Sequence, residues 1–386
     1  MVSKYKITIG LVTAALVTSQ ALWAGDAERR QAKRIFDRLT GVNPTTATID
    51  AMETLLLSDP SGRSAADYVT RTPLTNPESA AFYNVTLKNF ATPWTNEAQT
   101  VFTDLNDYSA TIIGVVRDEH DFRRILYDDL VYVGNNAPAY NMSNNLHYEA
   151  LEDLNPQTTG NLSNPLVLQQ TTQSAVTGNV IPTDGAAGIM TSRAGAMAFY
   201  SDGTNRAMFR FTMMNHLCSD LEPLKDVSRT PDRVRQDVSR SPGGDSRIFL
   251  NSCVGCHAGM DGMAGAFAFY EWDYNNVKED GQLVYTPGSV TLKHLINPSN
   301  FEPGYITTDN SWVNYWRNGQ NALLGWSDSR TATPLTKDDK GNATGFGAKS
   351  LGEELANSHA FAQCQVDKVF KAVCLRGPTE FIDQGA

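Results

Sequence analysis

Apolar positions recur at helical spacing over the first third of the chain. In GDAERRQAKRIFDRLTG, residues 25–41, Ala32, Ile35, Phe36 and Leu39 fall on one face and Gly41 ends the pattern. IDAMETLLL repeats that logic from Ile49, and HDFRRILYDDLVYV sets Phe122, Ile125, Leu126 and Leu130 on one side with charges on the other. From Asn135 to Gly185 the composition turns to Asn, Thr, Gln, Ser and Gly with brief apolar runs, which predicts loop or linker. Helical spacing returns in NRAMFRFTMMNHLC, residues 205–218. A Pro- and Gly-marked polar path, SRTPDRVRQDVSRSPGGDSR, then leads into FLNSCVGCHAGMDGMAGAFAFYEWD, residues 249–273. Near the end, Ser350 and Glu353 suggest a capping box, followed by an amphipathic segment with Val366, Phe370, Val373 and Cys374 on one side and Gly377-Pro378 as its stop. The pattern predicts a mainly α protein: a helical domain over residues 25–135, a loop or linker region over 136–190, and a second lobe with irregular loops over 191–386.

The N-terminus decides what the cysteines can mean. Lys4 and Lys6 precede an apolar run from Ile7 to about Val17, and Ser19 with Ala21, or Ala24 with Gly25, offers a small-residue cleavage site. Thr13, Thr18, Ser19 and Gln20 break a run already short of the roughly 20 apolar residues of a membrane span. Residues 1–24 therefore read as a cleaved secretory signal, with the mature chain in a periplasm or outside the cell and without a membrane span. No Cys stands at the cleavage site to take a lipid. The net charge of −10 becomes −12 once Lys4 and Lys6 are removed, and with no basic stripe the chain offers nucleic acid nothing to neutralise its phosphates. At 386 residues and 41% hydrophobic content, the chain can bury two cores.

Cys253-Val254-Gly255-Cys256-His257 is the stretch with chemistry. A thioredoxin-like pair wants a preceding strand, and no alternating pattern leads into Phe249; a zinc site wants a second Cys or His pair at ligand spacing, and none follows. A disulfide between Cys253 and Cys256 leaves His257 without a role. Covalent haem c uses all three residues: each Cys forms a thioether to one vinyl group, and the adjacent His is the proximal iron ligand. Export fits, because haem c is attached outside the cytoplasm. The expected activity is one-electron transfer to and from redox partner proteins, with a peroxidase or oxygenase acting at an open distal face as the alternative. A surface or scaffold protein with structural haem is a third reading.

The second axial ligand is open. No Met follows Met263, and Met260 and Met263 lie too close behind His257 to reach the other face. His294 downstream, or Met190, Met197, Met208 or His216 upstream, are distal candidates, and a five-coordinate iron is the remaining possibility; His359, after Ser358 at an expected helix start, reads as a surface imidazole. Aromatic residues that could wall a haem run from Phe267 through Trp326, and Arg193, Arg206, Arg210, Arg247 and Arg317 are candidate propionate donors. Of the remaining cysteines, Cys364 and Cys374 on one helix would stand about 15 Å apart, beyond bridging distance, so Cys218 is the partner of one or the other.

RAGAMAFYSDGTNRAMFRFTMMNHLC, the C-x-x-C-H-x-x-Met-Asp run and SLGEELANSHAFAQCQVDKVFKAVCLRGP occur in the order that resembles the planctomycete-type cytochrome-c-like secreted proteins of unknown function. The matching positions are Arg193 and Gly195, Leu217-Cys218, Cys253 through Asp261, and Cys364, with RLTG and LNDYSATIIGVVRDEHDFRRIL fitting the helical module before them. The resemblance implies a monohaem c-type protein with a cytochrome-c-like haem lobe over residues 191–386, and it favours a Cys218–Cys364 disulfide. Gly262 stands where that family places Pro, so the local turn departs from its pattern.

Overall fold

The computed structural model describes residues 26–155, 159–236, 238, 245–294, 302–326 and 335–378. The apolar stretch read as a signal lies outside the described residues. The protein is mainly helical, with short strands paired two by two. The described residues fall into two compact units, one drawn from residues 26–87 with 155 and 159–164, the other from residues 88–154 and those described after 164.

In the first unit, α1 (residues 26–40), α2 (Thr46–Ser58) and α3 (Arg63–Arg71) bury one shared cluster. The spacing seen in the sequence supplies it: Ala32 and Phe36 from α1, Met52 and Leu56 from α2, Ala65 and Val69 from α3. Thr45 caps α2 by accepting from the Thr48 amide. The returning segment 155–164 is fastened by the Leu162 amide, which donates to Asn84 Oδ1 at 2.9 Å.

The second unit is built around α4 (Asp107–Arg117), which is buried along most of its length and begins with a reciprocal Asn106–Ser109 capping box. The stretch predicted as a helix from Phe122 to Leu130 instead makes a tight turn at Phe122–Leu126 and then strand β1 (Val131–Gly134). Asp121 caps the turn, and Val131 and Tyr132, both buried, pass beside α4, which packs on β1. Residues 136–190, expected as linker, are largely folded into this unit. They contribute α5 (Leu146–Glu152) and β2 (Leu168–Thr171), whose register with β1 runs from Val131↔Thr171 to Gly134↔Leu168. Their polar side chains serve the interior: Gln173 donates to the Leu130 and Gly188 carbonyls, and Asp129 accepts from the Ser174 amide and from the hydroxyls of Ser174 and Thr183. Polar composition here marks satisfied buried backbone, not solvated loop.

Two helices lead to the region of chemistry, α6 (Arg193–Phe199) and α7 (Arg206–His216). Helix α8 (Val254–Ala264) carries most of the Cys-rich stretch and packs on α7 and on strand β3 (Ser311–Asn314). Strand β3 pairs with β4 (Ala343–Phe346), which feeds α9 (Gly347–Ala356) and then α10 (His359–Cys374). The Ser350 capping box is not realised. Helix α9 starts at Gly347, whose φ of +75° suits glycine, and Ser350 sits inside the helix with its Oγ accepting from Trp312 Nε1 at 2.8 Å. On α10 the buried residues are Phe361 and Cys364, whereas Val366 and Val373 of the predicted apolar side are 64% and 42% exposed. No described helix is long and apolar enough to cross a membrane.

Candidate functional site

The polar path before the cysteines ends at Asp245, whose carboxylate accepts from the Arg247 amide. The chain then winds through a wide π-helical turn, Phe249–Cys253, and tightens into α8 at Val254. Along α8 the residue types divide by face. Counting from its cap Cys253, the residues Cys253, Cys256, His257 and Met260 follow the i, i+3, i+4, i+7 stripe, and Gly255, Gly259 and Gly262 form another on roughly the opposite side.

The glycine stripe lets α8 sit against its supports without an intervening side chain. A methyl group on Gly259 would stand 2.1 Å from the indole of Trp316, and one on Gly262 would stand 2.9 Å from the Val313 carbonyl oxygen. Gly255 faces the Lys225 side chain, where a methyl group would meet Cγ at 2.5 Å. Trp316 is itself fully buried, with Trp326 and Phe209 against it at ring separations of 5.8 and 6.0 Å.

On the other stripe, Cys253 and Cys256 are unbridged and partly exposed. The Cys256 Sγ lies 3.7 Å from the Leu221 carbonyl oxygen, and burial, reinforced by Glu222, pushes its thiol pKa up, so it rests as a protonated thiol. That is the opposite of the activated thiolate that a disulfide oxidoreductase needs. Among the described residues, no three His, Cys, Asp or Glu side chains converge as a bare-ion site.

His257 is oriented from behind. Its Nδ1 is 3.1 Å from Asp261 Oδ1, one helical turn on, and its ring leans on Phe249 at 6.0 Å. Nε2 has no described hydrogen bond, and the side chain keeps 22% exposure. Asp261 is fully buried. It also accepts from Arg206 Nε at 2.6 Å, from Arg206 Nη2 at 3.1 Å and from the Arg235 amide at 3.3 Å. Burial opposes its ionisation, but the Arg206 guanidinium and the His257 hydrogen bond outweigh that and hold the carboxyl well below the usual carboxylate range. Arg206 is held in turn by Thr204, which also accepts from the Arg235 guanidinium at 2.8 Å.

The distal candidates are placed as follows. His216 is fully buried, with Nε2 2.7 Å from the Tyr108 hydroxyl and Trp94 edge-on at 5.1 Å; burial, with Lys368, depresses its pKa well below the ordinary histidine value. Met208 is buried with its sulfur 3.8 Å from the Thr212 hydroxyl, and the Met197 sulfur lies 3.9 Å from Arg193 Nη1. His294 is buried with Nδ1 2.9 Å from the Thr291 hydroxyl. The described hydrogen bonds and ring contacts of Met197, Met208 and His216 are made to residues other than His257. Of the candidate propionate donors, Arg206, Arg210, Arg247 and Arg317 are engaged with Asp261, Asp220, Asp245 and Glu354. The Arg193 guanidinium, on a residue 4% exposed, bonds Asn145 Oδ1 at 3.1 Å and no carboxylate among the described residues, while the Arg193 amide donates to Asp107 Oδ2 at 2.5 Å.

Cys218 and Cys364 form a disulfide with Cα atoms 5.3 Å apart, tying the end of α7 to α10, and Cys374 is an exposed free thiol. Sequence reasoning gave Asp261 no role. The signal for it was the four-residue offset from His257, which puts both on one helix face. Trp316 stands in the aromatic run, but its contact with Gly259 carried no comparable signal, since it joins segments nearly sixty residues apart. No family model, no curated protein and no solved structure matches this chain.

Proposed function

We propose that the chain is an exported monohaem c-type protein that carries single electrons. Cys253 and Cys256 would hold the porphyrin through thioethers, and His257 Nε2 would ligate the iron. The observation that carries this reading is one helical stripe, running from the residue that caps α8 into the helix, on which two unbridged thiols stand beside an imidazole whose Nδ1 is occupied by a buried carboxylate. Such an arrangement places the proton on Nδ1 and leaves the Nε2 lone pair for a metal. Thioether formation would add S–H across each vinyl group and requires both cysteines to be reduced and unbridged, as Cys253 and Cys256 are. The bound group would provide the Fe(II)/Fe(III) couple. The chain's own residues would orient the imidazole and seat α8 against Trp316.

Export is part of the proposal, because the Lys4–Ala24 segment has the order of a secretory signal and the Cys218–Cys364 disulfide suits an oxidising compartment. The partners are redox proteins. A second reading, a haem enzyme with an open distal face, is favoured by one observation: Met197, Met208 and His216 already have other partners. Titration of the purified protein with carbon monoxide, cyanide and imidazole separates the two readings, since prompt binding marks an open face. The attachment itself is tested by Cys253→Ala with Cys256→Ala, which should abolish pigment that survives acid extraction; pigment retained in that variant overturns the assignment.

A further inference from the structure

We propose that Asp261, clamped by Arg206, is a positioning residue that strengthens His257 as an electron donor and so lowers the reduction potential of the iron; this inference rests on the haem reading above. The geometry is that of a relay with one direction. Arg206 approaches Asp261 as a fork, Nε on Oδ1 and Nη2 on Oδ2, and the Arg235 amide adds a third donor on Oδ2. These bonds fix the carboxylate in the protein interior, with Oδ1 shared between Arg206 Nε and His257 Nδ1. A hydrogen bond from a ligating imidazole to a carboxylate raises the basicity of the other ring nitrogen, more than a bond to a neutral carbonyl does.

Two effects compete at Asp261. The Arg206 guanidinium neutralises part of the negative charge that His257 would feel, which weakens the effect. Against this, Asp261 is fully buried while the Arg206 side chain keeps 19% exposure, so water screens the cation more than the carboxylate. The carboxylate also contacts the imidazole directly, whereas no described bond joins Arg206 to it. The net bias is towards an electron-rich Nε2. An electron-rich axial ligand stabilises Fe(III) over Fe(II), so the arrangement points to a site poised to give up its electron rather than to keep it.

The test uses the full-length protein matured with haem. Asp261→Asn keeps an oxygen acceptor of nearly the same shape and removes the charge. The expected result is a midpoint potential shifted to more positive values, with the covalent pigment and its absorption intensity retained. A purely structural role for Asp261 would lower the yield or stability without moving the midpoint of the protein that does form. A coloured wild type with an Asp261→Asn variant at the same midpoint, or a lower one, overturns this inference and leaves the haem reading standing; a colourless wild type overturns both. Should the variant fail to mature, the wild type decides by NMR with 15N-labelled histidine. A His257 Nδ1–H that resists exchange with solvent and carries the shift of a carboxylate-bound proton supports the inference, and one that exchanges freely refutes it.

Discussion

Replacing Gly259 by Ala sets two effects of similar size against each other, and the structure decides the sign. Alanine in a helix interior is favoured over glycine by about 1 kcal/mol, so a helix without neighbours would gain from the change. Helix α8 has a neighbour. The new methyl would lie 2.1 Å from the Trp316 indole, more than 1 Å inside the 3.4–4 Å of ordinary contact. Trp316 cannot step aside cheaply, because it is fully buried between Trp326 and Phe209. Overpacking of this kind costs about 1–3 kcal/mol, and at this overlap the upper end applies, leaving a net loss of about 1–2 kcal/mol. Gly255→Ala is the matched control. Its nearest obstacle is Lys225 Cγ, on a side chain that is 36% exposed and paired with the exposed Glu222, an ion pair that water replaces cheaply when the side chain shifts, so the propensity gain and the small clash nearly cancel. Guanidinium unfolding followed by tryptophan fluorescence reads both, as the midpoint shift multiplied by the slope. Gly259→Ala should unfold earlier than the parent and Gly255→Ala close to it. A Gly259→Ala variant at or above the parent midpoint would refute the claim that α8 is seated by direct backbone-to-indole contact.

Two further predictions concern the frame around the site. The Cys218–Cys364 bridge spans a sequence separation of 146, for which the chain-entropy model gives about 5 kcal/mol; Cys218→Ala with Cys364→Ala should lower the urea midpoint strongly, and an unchanged midpoint would show that the bridge restrains nothing the fold does not already restrain. His216, whose folded pKa lies well below the ordinary 6.5, binds fewer protons folded than unfolded. The stability it contributes is complete above pH 6.5 and falls as the pH drops below that value, at up to about 1.4 kcal/mol per unit. Denaturation between pH 7 and 5.5 should show this slope in the parent and a flatter one in His216→Asn; equal slopes would contradict it.

What could be read from the sequence follows from how local each interaction is. Helices α1 and α2 were legible because their apolar faces meet each other and α3, all within residues 26–71. The stretch after Phe122 has the same helical spacing, yet β1 forms there because its partners, β2 and α4, lie elsewhere in the chain. Residues 136–190 read as linker since their polar side chains carry no periodicity, although Gln173 and Ser174 are buried to serve backbone and carboxylate groups. On α10 the apolar stripe predicted the wrong face, because Phe361 and the Cys364 bridge anchor the helix by its other side. At the candidate site, the thiols and imidazole were visible as a motif of five residues. Asp261 was visible only as an offset; Arg206 stood out only as a candidate propionate donor and Trp316 only within the aromatic run, and their contacts with Asp261 and Gly259 were not legible because they reach α8 from segments distant in sequence.

The measurement that bears most directly on the account is a pyridine haemochrome spectrum of the purified chain, produced by secretion from a host that installs haem c and taken after acid extraction. The account predicts a pigment that stays with the polypeptide and gives the spectrum of a porphyrin whose two vinyl groups are saturated. A colourless polypeptide, or a pigment that leaves with the solvent, would contradict it.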